Sequence, residues 1–90
     1  MNGNEKNANY SITDRIKVGK MTFVLGENPN APSPFVTWQK MEGRSGYDVG
    51  NYMTDRESAV KDLHRRANNE KKLISSINNH SKQKERNSAR

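Results

Sequence analysis

The chain contains no cysteine, which removes disulfides, thiolate metal ligation and thiol nucleophiles together and fits a reducing cytosol. Long hydrophobic runs are missing as well. The first 20 residues hold no apolar stretch of signal-peptide length. No segment approaches the ~20 apolar residues needed to span a bilayer. The expectation is a soluble cytoplasmic protein with no membrane partner. Apolar residues are scarce overall: 30% of the chain, or about 37% with glycine, against the ~45–50% usual for a globular domain. Ninety residues make one domain at most, and only part of the chain can be packed.

Catalytic signatures are also wanting. His64 and His80 are the two histidines, and neither has metal-ligand spacing to a carboxylate cluster. His64 stands beside Asp62 and Arg65 without a partner base and reads as a surface helix histidine. No serine sits in a nucleophile-elbow pattern. Gly43-x-x-Gly46 lacks the Lys-Ser/Thr that completes a phosphate loop, and a turn accounts for it. The chain is therefore expected to be no enzyme, with no catalytic residue, metal or cofactor.

Charge is what the sequence does have, and it is unevenly placed. Residues 1–64 hold eight Lys/Arg and eight Asp/Glu, which cancel. Residues 65–90 hold eight Lys/Arg against Glu70 and Glu85, a balance of +6. A neutral body with a cationic end suits a module that meets a polyanion or an acidic protein face. Solubility alone also explains exposed lysines on a terminal helix. The aliphatic residues Leu73, Ile74 and Ile77 beside Lys71 and Lys72 favour contact, whether with a protein partner, the sheet or a second copy in a homodimer.

The pattern along the chain predicts an α+β domain over residues 10–80, a four-stranded antiparallel β-meander packed on one C-terminal α-helix. Met1–Asn9, rich in asparagine, reads as a disordered tail, as does the basic stretch 81–90. Tyr10, Ile12, Ile16 and Val18 share one parity, a half-buried strand broken only by Asp14. Gly19-Lys20 turns the chain into a second strand, Met21–Leu25. Prolines at 29, 32 and 34 make 28–34 a stiff loop, either a plain crossover or a contact surface. Phe35–Met41 and Tyr47–Met53 are the third and fourth strands. Thr54-Asp55-Arg56-Glu57 fits a capping box with Thr54 as the cap. Ala59, Val60, Leu63 and Ala67 then form one helical stripe, with Glu57/Lys61 and Asp62/Arg66 as i,i+4 pairs. Asn68-Asn69 either ends this helix or merely weakens it.

Trp38 has two readings. It is a core residue under the helix, or an exposed ring that stacks on nucleic acid beside Lys40. The expected nucleic-acid contacts are Arg15, Lys17, Trp38, Lys40 and Arg44 from the sheet and its turns, with Arg65, Arg66, Lys71 and Lys72 from the helix. The cations would bind phosphate, fixing position and not sequence. The competing reading is a protein-interaction module, an inhibitor or assembly partner that docks on an acidic protein surface through Leu73, Ile74 and Ile77.

Two resemblances bear on these readings. The run Val49-Gly50-Asn51-Tyr52-Met53-Thr54-x-x-Glu57-x-Ala59 resembles the last strand and helix start of arm-type DNA-binding domains of tyrosine integrases and of plant ethylene-response-type domains. It departs from them in having Ser58-Ala59 where an alanine pair is usual. The resemblance implies a sheet backed by one helix that lays its open face into a DNA groove. The stretch from Phe23 to Gln39, with Gly46-Tyr47 and Thr54-Asp55-Arg56, is similar to small uncharacterised proteins of conjugative elements in Gram-positive bacteria. That similarity implies an accessory role on a mobile element and no particular activity.

Overall fold

In a computed structural model, the backbone is described for residues 5–89 and the side chains for residues 5–77. Strand β2 (Tyr10–Val18) shows how the chain makes two faces from one alternation. Ile12 pairs with Gly26 but Asp14 pairs with Leu25, so Thr13 is an extra residue in the ladder. A one-residue bulge inverts the parity of everything beyond it. The shared parity of Tyr10, Ile12, Ile16 and Val18 is thereby split. Tyr10 and Ile12 join Val24, Val36 and Trp38 on one face. Ile16 and Val18 join Met21, Phe23 and Leu25 on the other, under the helix. Asp14 goes with them and accepts from Arg56 Nη2 at 3.1 and 3.4 Å, tying the helix start to the sheet.

The remaining strands are β1 (Lys6–Asn7), β3 (Met21–Glu27), β4 (Phe35–Met41) and β5 (Asp48–Met53). They form one antiparallel sheet in the order β1-β2-β3-β4-β5. The class is α+β as expected, but the meander has five strands, not four. The added strand lies inside the stretch 1–9 that reads as a tail. Ala8 (φ 51°) and Asn9 (φ 71°) are both left-handed, which is the two-residue turn whose twist suits a hairpin. Residues 1–4 of that expected tail lie outside the described residues.

Helix α1 (Arg56–Ala89) begins one residue later than the capping box implies. Asp55, not Thr54, is the cap: its carboxylate accepts from Ser58 N at 2.8 Å and Ser58 Oγ at 3.0 Å. The bond from the Ser58 amide holds the Asp55 carboxyl below the usual aspartate range. Ala59, Leu63 and Ala67 are buried against Val18, Met21, Phe23 and Leu25, so the predicted stripe is the docking face. Asn68-Asn69 does not end the helix. Ile74 still touches the sheet, packing at the β2–β3 turn, where a Cβ on Gly19 (φ 60°) would stand 2.8 Å from its Cδ1. Leu73 and Ile77 face solvent, 56% and 59% exposed, so the aliphatic trio does not form a single stripe. The α1 backbone includes residues 81–89 of the expected basic tail, whose side chains lie outside the described residues. Among the described residues no helix is long and apolar enough to cross a membrane.

Candidate nucleic-acid interface

Because α1 covers the face of Ile16, Phe23 and Leu25, the opposite face is the one it leaves free. The strand register sets out that face in rows. Lys17, Thr22 and Lys40 form one row; Arg15, Val24 and Trp38 form the next; Ile12, Gly26, Val36 and Tyr52 form the third. Neighbouring strands are ~4.8 Å apart, so the Lys17 and Lys40 backbones are separated by about 10 Å across β3. The Glu42 amide donates to the Lys20 carbonyl at 2.7 Å, which sets the β4–β5 turn beside the β2–β3 turn. Arg44, exposed in that turn, thus lies at the same end of the sheet as Lys17 and Lys40.

Arg15 is not idle on this face. It binds the Glu5 carboxylate and donates to Tyr47 Oη at 3.5 Å, while Tyr47 donates to Glu5 Oε2 at 2.6 Å. The Arg15 hydrogen bond, seconded by that of Tyr47, keeps the Glu5 carboxyl below the usual glutamate range. Burial, then the Glu5 bond, pushes the Tyr47 phenol up. The Arg15 and Glu5 side chains are 48% and 40% exposed, so the pair is worth at most ~1 kcal/mol. Lys40 Nζ sits 5.6 Å over the Tyr47 ring.

Trp38 answers to neither expectation. It belongs to the core, but on the face away from the helix, and at 5% exposure it offers no ring to a ligand. Tyr47 stacks on it at 6.0 Å and 25°, and Tyr10 and Tyr52 meet it edge-on at 5.7 and 6.4 Å. A side chain at Gly50 would intrude here: its Cβ would lie 2.8 Å from Trp38 Nε1 and 3.1 Å from Cδ1. Gly50→Ala is expected to cost about 1–3 kcal/mol by overpacking, read as a lower urea midpoint at unchanged m-value. The proline loop closes on itself, with Asn28 N to Pro34 O at 2.7 Å, and lies over the third-row end of this face. Tyr10 Oη donates to the Ser33 carbonyl at 2.7 Å, and Ala31 packs on the Trp38 cluster.

The helical cations stand on the other side of the sheet. Arg66, an expected phosphate contact, is 8% exposed and fully engaged. Its Nε donates to Asp62, Nη1 to Gln39 Oε1 at 3.1 Å, and Nη2 to the Val49 carbonyl at 2.6 Å. Val49 is left-handed (φ 54°), a conformation costly for a β-branched residue, and the Arg66 bond helps hold it. Arg66 is therefore structural. Arg65 pairs with Asp62 but keeps 58% of its side chain exposed, and Lys71 and Lys72 are exposed. Arg65 and Lys72 border a shallow groove with Lys61 and His64.

Between α1 and β5 lies a cleft of about 330 Å³ bordered by Gln39, Val49, Asn51, Arg65, Arg66 and Leu73. Every buried side-chain N or O atom among the described residues already has a hydrogen-bond partner, those at this cleft included. The described residues also contain no group of three or more His, Asp or Glu placed to hold a metal ion.

The residue that composition and spacing did not single out is Tyr52, 54% exposed in the third row of the free face. Its signal was its parity with Gly50, which places it on the face opposite Asn51 and Met53. No protein-family model, curated protein or solved structure matches the chain.

Proposed function

We propose that this protein is a non-catalytic nucleic-acid-binding module, with DNA as its ligand, acting as an accessory protein of a mobile element. One observation carries the reading. The helix occupies one face of the sheet, and the other presents Arg15, Lys17 and Lys40 in two adjacent rows with Arg44 at their end. Glu5 pairs with Arg15 on that face, and both side chains are more than a third exposed, so a phosphate can compete for Arg15. A surface of this kind tracks a phosphate backbone and fixes position without reading bases. The resemblance of Val49–Ala59 to arm-type domains supports the choice of DNA, since that run is the β5–α1 junction. The similarity of Phe23–Gln39 to conjugative-element proteins supports the genomic setting.

If four phosphates are neutralised, log affinity falls with log salt at a slope near −3.6 on duplex DNA and near −2.8 on a single strand, by about 0.9 and 0.7 per contact. Fluorescence anisotropy over a salt series measures it. No binding at low salt, or an affinity indifferent to salt, removes the proposal.

A second reading rests on Leu73 and Ile77, one turn apart and more than half exposed. Two large aliphatics beside Lys71 and Lys72 suit an acidic protein surface, and such a complex would resist the salt that abolishes DNA binding.

A further inference from the structure

Resting on the nucleic-acid reading above, we infer that the ligand is single-stranded and that Tyr52 is the platform on which one unpaired base stacks. Four rings crowd the free face, and three are spent on the fold. Trp38 is buried, Tyr10 is 8% exposed with its hydroxyl tied to the Ser33 carbonyl, and Tyr47 is engaged by stacking on Trp38 and by the Lys40 ammonium over its ring. Tyr52 alone of them is more than half exposed. Its own ring is braced edge-on by Tyr10 at 6.0 Å and 65° and by Trp38 at 6.4 Å and 88°. Gly50, with no side chain, leaves room beside it: a Cβ there would meet Tyr52 Cε1 at 3.1 Å. A ring held this way loses little freedom when a second ring lands on it, which favours binding.

The charge pattern selects the occupant. Moving along β4 from Val36, the row of Tyr52, to Lys40 covers four residues, about 13 Å. The face thus grades from an open aromatic at one end to a cluster of cations at the other. An extended single strand meets both, with a base on Tyr52 and the following phosphates on Arg15, Lys17 and Lys40. Bases within a duplex are already stacked on one another and have no free face to offer. Aromatic platforms of this kind serve any base, so no strong sequence preference is expected.

The test compares a short single strand, the same single strand made abasic, and the matched duplex. Removing Tyr52 by Tyr52→Ala should weaken single-strand binding about 5- to 100-fold, with Tyr52→Phe keeping the native affinity. Duplex affinity and both salt slopes should stay unchanged, since no phosphate contact is lost. On the native protein, the abasic strand should bind more weakly by a similar factor, a result that does not depend on any variant folding. Equal binding of the abasic and intact strands, or an equal loss on duplex and single strand with Tyr52→Ala, overturns the inference. In either case a salt-dependent affinity on the duplex would leave the broader proposal standing. Absence of binding to all three overturns both.

Discussion

Replacing Asp62 by alanine is expected to destabilise the fold by about 3–5 kcal/mol. Asp62 is the junction at which α1 is fastened to two strands. It accepts from Thr37 Oγ1 on β4 at 2.5 Å, from Asn51 Nδ2 on β5 at 3.0 Å, from Arg66 Nε at 3.2 Å, and from Arg65. Burial alone would raise this carboxyl, but hydrogen bonds from Asn51, Thr37, Arg65 and Arg66 outweigh it and hold its pKa far below the usual aspartate range. Alanine would leave a guanidinium whose side chain is 7% exposed without its counter-charge, and Thr37, itself fully buried, without its acceptor. An unpaired buried charge costs more than the pair contributed, so the double variant Asp62→Ala/Arg66→Met should recover part of the loss. Urea unfolding at constant m-value measures both. A loss under about 1 kcal/mol for Asp62→Ala would mean that the network is ornamental.

The same residue fixes the acid limb of stability. The folded pKa of Asp62 is depressed, so its contribution is complete above the unfolded value near ~4 and is lost as pH falls below it. Asp14 behaves likewise: burial would raise it, but hydrogen bonds from Thr13 and Arg56 bring it down. Stability should therefore be flat from about pH 7 to 5 and fall below about pH 4, with a shallower fall in Asp62→Ala than in the native chain.

How the letters relate to this architecture is clearest at three places. The helix stripe Ala59, Leu63, Ala67 was legible because period 3.6 survives any tertiary arrangement that buries one side. The two faces of β2 were not, because a bulge leaves no letter of its own. Asp14 broke the alternation, and that break was in fact the mark of the bulge. The hairpin at Ala8-Asn9 was hidden because its left-handed turn uses alanine where glycine would have announced it. For the site, Arg15 and Lys17 on one predicted strand and Lys40 on another were identifiable as strand cations. Nothing local separated them from Arg66, whose burial follows from the distant partners Gln39 and Val49. The aromatic roles were exchanged for the same reason. Trp38 and Tyr52 both alternate onto the free face, and only the third dimension buries the first beneath the tyrosines around it and leaves the second more than half exposed.

The two sides of the sheet allow a decisive comparison at constant charge. Arg15→Gln/Lys17→Gln/Lys40→Gln and Arg65→Gln/Lys71→Gln/Lys72→Gln each remove three positive charges, so they alter the long-range field of the molecule almost equally. They differ in which face loses them. With three phosphate contacts gone, the sheet-face triple should bind DNA about 100-fold more weakly near 0.1 M salt, and its slope should flatten by about 2.7 on duplex. The helix-face triple should stay within about 5-fold, its residual loss reflecting weaker steering by the net field. Neither triple should unfold the protein, because Arg15 and Arg65 are about half exposed and surface pairs of this kind hold at most ~1 kcal/mol. The reverse ranking would place the partner on α1, next to Leu73 and Ile77, and the protein-docking reading would then take precedence. Equal losses would be the mark of a ligand that senses only total charge, and the sheet face would have no special claim to it.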